Sequence, residues 1–438
     1  MRDEMSDFLE INADLHIHGR YAGATSERMI PSVIGEQAIL KGLDLIGTGD
    51  ILHSGWQRLV REQLKEDSEG IFKHSNGTKF VLQTEVEDND RVHHLLLFPS
   101  MSKVDEIREI FARHSSLDSD GRPKIDLSGA EIADASIRAG CMIGFAHAFT
   151  PYFGLFAKFD SYKSCYGNNW DKIHFLELGL SADTNMADKI SELHNLTFLS
   201  CSDGHSPWPN KLGREFTRFH MQDVSFEELS KAILREGGRK PILNVKFNPL
   251  EGMYHKTRCR SCLTFFELND AQSYRWRCPV CHSQIKKGVI DRINELADLP
   301  AGEHPAHRPK CQHTIPLSEM IAISMGTKQA FSEKVQTIWR RFVEQFGNEI
   351  EVLINVPIEE LSKIESKTAE LVRAFRSDEF TYVPGGAGEY GIPIPPGKSA
   401  GIKLWRNGRV EDVEISKRAP AAKTSPNQRS LSEFFESK

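Results

Sequence analysis

The stretch Asp14-Leu15-His16-Ile17-His18 decides how the rest of the chain is read. On a strand, side chains at i, i+2 and i+4 project from one face, so Asp14, His16 and His18 share a side. Two imidazoles and a carboxylate gathered in this way are metal-ligand chemistry. Working outward, strand-like runs are predicted at 11–18, 43–48, 79–85, 92–98, 141–147, 173–178 and 196–202. Polar residues recur where these runs end. Asp50 and His53 follow the second, Glu85 ends the third, and His93 and His94 lie on the fourth. His147 ends the fifth, and Asp203 and His205 follow the last. Any one of them alone reads as a surface or satisfied core residue. Their recurrence at successive strand ends points to one shared site, suited to Zn²⁺, Mn²⁺ or Mg²⁺.

Helical patterns at 55–65, 103–113, 129–139 and 185–195 separate most of these runs. Strands alternating with helices predict an α/β fold with parallel strands, here a closed or nearly closed β/α barrel over residues 1–242. In such a barrel the polar strand ends form the active-site face.

At 438 residues the chain is long enough for two or three domains. With 39% hydrophobic and 26% charged residues it reads as an ordinary globular protein. No apolar run is long enough to span a bilayer, and Met1 opens no basic-then-apolar leader, so a cytoplasmic location is expected. The net charge of -6 gives no general attraction to nucleic acid. Any affinity for it must come from local basic patches and bound metal.

A second module spans 243–290. Cys259-x2-Cys262-x15-Cys278-x2-Cys281 offers two thiolate pairs that close a tetrahedral site with no open position, which predicts a structural Zn²⁺. Around it stand Lys256, Arg258, Arg260, Arg275, Arg277, Lys286 and Lys287, against Glu267 and Asp270. Tyr274 and Trp276 interleave with the arginines, a pattern suited to phosphate contact and base stacking. Arg258, Arg260, Arg275 and Arg277 are therefore candidate DNA contacts. Cys141, Cys165 and Cys201 read as buried small hydrophobes. His307, Cys311 and His313 are too irregularly spaced for a second metal site and read as loop or DNA-facing material.

Residues 291–376 form a helical region with an amphipathic run at 332–346. Residues 377–427, rich in Gly and Pro and then basic, read as a flexible connector. Gly391…Gly397-Lys398-Ser399 superficially matches a phosphate-binding loop. It has one residue too many between its glycines, three prolines inside and no buried strand before it.

The motifs Asp14-Leu-His-Ile-His18, Thr84-Glu85, His94-Leu-Leu96, Ala146-His147 and Ser202-Asp-Gly-His205 resemble those of the PHP (polymerase and histidinol phosphatase) phosphoesterases. The resemblance implies a distorted β/α barrel with two or three catalytic divalent ions. The ligands it implies are His16, His18, Glu85, His94, His147, Asp203 and His205. The second motif departs from the usual adjacent Asp-His, reading Thr48-Gly-Asp50-Ile-Leu-His53; Asp50 is taken as its ligand. Asp203, His147 and Glu85 are expected nearest the reaction. Arg214 and Arg218 follow the last strand and could neutralise phosphate.

With the cysteine module, the helical region and stretches such as Phe175-Leu-Glu-Leu-Gly-Leu-Ser-Ala-Asp183, the chain is similar to the endonuclease Q family, found mainly in archaea. That implies metal-dependent cleavage of DNA on the 5′ side of deaminated bases (hypoxanthine, uracil, xanthine) and abasic sites, leaving a 3′-hydroxyl. The aromatic segment after His147 (Phe149, Tyr152, Phe153, Phe156, Phe159 and Tyr162) is a candidate pocket wall or wedge for a flipped base. Residues 428–435 resemble a sliding-clamp (PCNA) peptide, with Gln428 at the rim and Leu431, Phe434 and Phe435 as an apolar plug. A phosphatase or 3′–5′ exonuclease would use the same metals but leaves the module and tail without a role. A non-catalytic clamp-bound adaptor would have lost several of the polar residues.

Overall fold

The structure is a computed structural model in which residues 8–416 are described. Gln428, Leu431, Phe434 and Phe435 lie outside the described residues. No helix among the described residues is long and apolar enough to cross a membrane.

Leu9–Asp14 lies within an eight-stranded sheet, antiparallel to Phe216–Met221 on one side and parallel to Leu45–Gly47 on the other. That sheet continues through Lys79–Val81 in one direction and through Lys240–Lys246 to Lys310–His313 in the other. A five-stranded sheet runs in the order Thr197–Leu199, Phe175–Glu177, Met142–Phe145, His93–Leu97, Gln83–Glu87. The chain crosses between the sheets at Leu82, between Lys79–Val81 and Gln83–Glu87. On the far side, side chains bridge the seam. The Ser200 amide donates to the Thr217 hydroxyl (2.9 Å), and the Asn244 amide donates to the Phe198 carbonyl (3.1 Å).

The expected parallel barrel is thus two sheets of mixed direction. Gln83–Glu87 and His93–Leu97 pair antiparallel because residues 88–92 are too few to make a crossover. Burial splits along the pleat. Ala13, Leu15, Leu45, Val81, Leu95, Leu97 and Phe175 pack together in one cluster. Ile17, Ile46, Val86 and Leu96 instead join the larger cluster built with the helices.

Helices form at Ser54–Gln63, Met101–Phe111 and Gly129–Arg138, near the predicted segments. The last has a capping box, with Ser128 and Glu131 satisfying each other's amides, a device worth about 1 kcal/mol. The segment expected to be helical at 185–195 is broken into Thr184–Ala187 and a 3-10 turn, Ser191–Leu193. Ile190 is extended there, and the Ser191 amide goes to Asp298 (2.7 Å) instead of to the preceding turn.

Two expectations for the C-terminal half are corrected. Lys310–His313, read as loop within the helical region, is a strand parallel to Lys240–Lys246, so the chain returns to the main sheet after the cysteine module. Residues 377–416, read as part of a flexible connector, are folded. Thr381–Val383 pairs with Ile392–Ile394, and Ala400–Arg406 pairs with Arg409–Ile415. The second hairpin turns at Asn407-Gly408, both with positive φ, the residue pair that a tight two-residue turn favours. The Phe265 amide donates to Lys403 and the Trp405 amide to Phe265 (2.8 and 2.9 Å), tying this hairpin to the cysteine module. Trp405 then packs against Phe266 and Tyr274.

Helices Leu317–Ser324, Glu333–Phe346 and Ser366–Arg376 share a core around Met320, Trp339, Phe342 and Val372. A buried ion pair docks this unit on the first domain, with Lys41 Nζ 2.7 Å from Glu349. Glu349 also accepts from the Trp339 indole (2.6 Å), while Lys41 donates to the Pro209 carbonyl (2.8 Å).

Candidate metal centre

His16, His18, Glu85, His147, Asp203 and His205, arriving from four segments of the chain, converge. Asp203 Oδ1 stands 3.1 Å from His18 Nε2, 3.9 Å from His16 Nε2 and 3.6 Å from His205 Nδ1. Glu85 spans the cluster: Oε2 is 3.4 Å from His18 and Oε1 is 2.9 Å from His147. His147 and Asp203 both have positive φ, 28° and 48°, a strained backbone that the surrounding packing must hold. Gly179 is required beside them, since a Cβ there would come 2.8 Å from the His147 Cβ.

His16 Nε2, His18 Nε2, His147 Nδ1 and Asp203 Oδ1 are buried and make no hydrogen bond. Buried polar atoms left in that state cost on the order of 1–3 kcal/mol each. Imidazole nitrogens and carboxylate oxygens converging in this way, with His147 joining through Nε2, are the donor set of a divalent ion, so these residues fit a metal cluster. The charge states agree. Burial pushes the carboxyls up, but Arg122 and His93 around Glu85, and His18, His16 and His205 around Asp203, hold both well below the usual carboxylate range. Burial opposes protonation of His16, yet Glu177 and Glu85 outweigh it and raise it to about 10. This is a pull that a bound cation would replace.

Two ligand assignments at this site, His94 and Asp50, are corrected. His94 does not face the cluster: its ring lies between the Tyr166 hydroxyl (2.8 Å) and Asp88 (3.1 Å). His93 takes the place, with Nδ1 3.0 Å from Glu85 and 3.1 Å from His147 Nε2. The register explains it. Glu87 sits opposite His93 and Glu85 opposite Leu95, so His93 shares the face of Glu85 while His94 follows Leu96 to the helix side. Asp50 stands behind His18, accepting at Nδ1 (3.2 Å) and from the Gly19 amide (2.6 Å). That orients the imidazole without joining the cluster. His53 caps helix Ser54–Gln63 and stacks on Tyr21. Asp14 accepts from the Ser202 and Gly213 amides (both 2.9 Å), pinning the two ends of the loop that bears Asp203.

Arg218 is also misplaced by sequence reasoning. It is bonded to Asn12 and Glu10, on the far side of its strand from the cluster. Arg214 does reach the site. It donates to the Ser202 carbonyl (3.1 Å), lies over Phe247 and lines a cavity of about 490 Å³. Asp203, His147, His93 and Phe153 share that cavity, and Phe153 stacks on His93 at 4.7 Å.

Two residues were missed. Glu177 accepts at His16 Nδ1 (2.7 Å) and from the His147 amide (3.2 Å). It ends strand Phe175–Glu177, so the strand-end criterion applied elsewhere finds it. Arg122 pairs with Glu85 from the loop before helix Gly129–Arg138, where no sequence signal marks it.

The four cysteines form a separate cluster, with Cys259 and Cys281 sulfurs 3.4 Å apart and those of Cys262 and Cys278 3.5 Å apart. Arg258 is spent inside this module on the Leu263 carbonyl and the Phe265 ring, whereas Arg260, Arg275 and Arg277 are exposed. Of the aromatic segment, Phe149, Phe156 and Tyr162 are core and Tyr152 is exposed.

Residues 316–379 match the family model of the MJ0043 C-terminal domain. The chain is 47% identical over 258 residues to the uncharacterized protein MJ0043 of Methanocaldococcus jannaschii, a match covering 58% of this chain and 32% of that protein's length. It resembles the lesion-specific endonuclease PfuEndoQ from Pyrococcus furiosus, with a TM-score of 0.85 and 46% identity over 89% of this chain and 96% of that one. A complex of endonuclease Q with a 27-mer duplex carrying an abasic lesion at the active site matches with the same TM-score and identity, covering 97% of that chain. On this likeness along nearly its whole length, the chain belongs to the endonuclease Q family.

Proposed function

We propose that this chain is a metal-dependent DNA-repair endonuclease that nicks one strand on the 5′ side of deaminated bases (hypoxanthine, uracil, xanthine) and abasic sites, leaving a 3′-hydroxyl. The observation that carries it is the convergence of His16, His18, Glu85, His147 and Asp203, of which His147 and Asp203 line a cavity that also holds Arg122 and Arg214. The likeness to endonucleases, one of them bound to abasic DNA, supports DNA as the substrate.

His16, His18, Glu85, His93, His147, Asp203 and His205 would hold two or three ions, Zn²⁺, Mn²⁺ or Mg²⁺. Divalent ions bound there supply the Lewis acidity that lowers the pKa of water and screens the scissile phosphate. Glu177 and Asp50 fix the two N-terminal imidazoles by accepting at their Nδ1 atoms. Arg122 and Arg214 bring fixed cations to the cavity, complementary to a phosphodiester. Phe153, Met253 and Tyr254 offer an apolar wall for an extruded nucleotide. The four cysteines hold a structural Zn²⁺. Arg260, Arg275 and Arg277 on that module contact the duplex backbone, and the peptide 428–435 recruits a sliding clamp (PCNA).

A strand-labelled duplex with one deoxyinosine, deoxyuridine or abasic site, incubated with Mg²⁺ or Mn²⁺, tests the reading. A single nick 5′ of the lesion, absent with Asp203→Asn, is expected. Degradation of undamaged DNA from its ends, or release of phosphate from small monoesters alone, rejects it. For the tail, replacing Phe434 and Phe435 with Ala should abolish clamp pull-down and leave nicking intact.

A further inference from the structure

A second cavity, of about 560 Å³, lies between the loop after His147 and the cysteine module. Tyr152, Trp276 and Tyr254 line it together with Lys286, Lys287 and Arg292. Tyr254 also lines the catalytic cavity, so one side chain is a wall of both.

The backbone of this groove is unusual. Tyr152 has a φ of 82° and Trp276 a φ of 60°. Bulky side chains rarely adopt the left-handed region, where the Cβ crowds the neighbouring carbonyl oxygen. Here two of them do so, on segments far apart in sequence, and both line the same groove. Tyr152 stays 41% exposed, so core packing does not explain its conformation. Its neighbour Phe153 turns the other way and stacks on His93. One tight turn therefore sends consecutive aromatic rings into two adjacent cavities.

The cations are not equivalent. Arg292 is committed to the Phe156 and Phe159 carbonyls and to Asp160, and Lys287, whose ammonium lies 5.5 Å from the Trp276 ring centre, to Glu295. Lys286 has its ammonium 4.9 Å from the Tyr152 ring centre, at the groove itself. Two aromatic faces, an apolar floor and one positive charge match a single nucleobase with its phosphate. They match neither a peptide carboxylate nor a divalent ion.

We propose that this groove binds a second unpaired base of the substrate, stacked on Tyr152 and Trp276 with its phosphate at Lys286, while the lesion nucleotide occupies the metal cavity. This rests on the DNA-endonuclease reading above. The base comes either from the position opposite the lesion or from a neighbour on the cleaved strand.

The test uses the full chain carrying Asp203→Asn, so that DNA is bound and not cut. Duplexes with a fixed lesion carry 5-iododeoxycytidine, which crosslinks on irradiation to aromatic rings stacked against it. It is placed opposite the lesion, or one nucleotide to its 5′ or 3′ side. A crosslink mapping to Tyr152 or Trp276 from one of these positions supports the proposal and names the source of the base. Crosslinks from none of them overturn it. Tyr152→Asn removes the ring but keeps a residue that tolerates the left-handed backbone. It should weaken binding of the lesion duplex about tenfold, and Lys286→Ala should lower the salt-dependence slope by about 1. Unchanged affinity in both variants also overturns the proposal. If the chain without Asp203→Asn fails to nick any lesion duplex, the endonuclease reading itself has failed.

Discussion

The candidate metal site of the first domain and the four-cysteine cluster of the second solve opposite problems with similar parts. The cysteines sit in one short stretch, two pairs closing on each other with their sulfurs about 3.5 Å apart. Nothing in that geometry leaves room for a substrate atom, as befits a structural site. The histidine and carboxylate cluster, with His93 included, draws on five segments between His16 and His205 and opens on a cavity through Asp203, whose side chain is 30% exposed. A local, closed site stabilises its own fold. A dispersed, open site is assembled by the fold and can act on something else.

The largest expected effect falls on the closed site. Cys259→Ala should cost the module its metal, worth about 10 kcal/mol or more of folding free energy. Metal analysis should show one zinc fewer per chain, with the second hairpin, whose Trp405 packs on this module, becoming susceptible to protease. Retention of the full zinc content would remove the distinction between the two sites. Next comes Asp203→Asn, expected to lower nicking about a thousandfold or more while the melting temperature and cysteine-bound zinc stay as they were.

Glu177→Gln should reduce catalytic-metal affinity about 10- to 100-fold, because a neutral amide positions His16 Nδ1 less strongly than a carboxylate. Titrating Mn²⁺ against nicking rate measures this, and excess Mn²⁺ should restore the rate. The smallest effect separates two adjacent histidines. His93→Gln should cut nicking sharply, whereas His94→Gln should leave it nearly unchanged and cost about 1–3 kcal/mol of stability through Asp88 and Tyr166. Equal losses of nicking in both would break the assignment of faces.

Much of the site was readable along the chain. His16, His18, Glu85, His147, Asp203 and His205 each follow or end a strand, and that recurrence is a local pattern. The choice between His93 and His94 was not readable. Strand His93–Leu97 is buried on both faces, so its sequence shows no alternation of polar and apolar residues. Asp50 and Arg218 have the right residue types near the right strands, yet one lies behind a ligand and the other across a sheet. Arg122 comes from a loop with no motif. The folded hairpin after residue 400 did carry a signal, Asn407-Gly408, which the surrounding Gly and Pro content concealed.

What the sequence determined by itself is chemistry with short reach: a four-cysteine module, a set of ligand-type residues at strand ends, and the alternation of strands and helices. These depend on spacings of a few residues, which the backbone's own periodicity translates into geometry. What only the tertiary structure decided is which side of each strand faces the cavity, and which distant residues stand behind the ligands. Pairing register and long-range packing set those, as when Glu87 opposite His93 turns one histidine inward and its neighbour out. No local pattern encodes a partner some 160 residues away, which is the separation that joins Glu177 to His16.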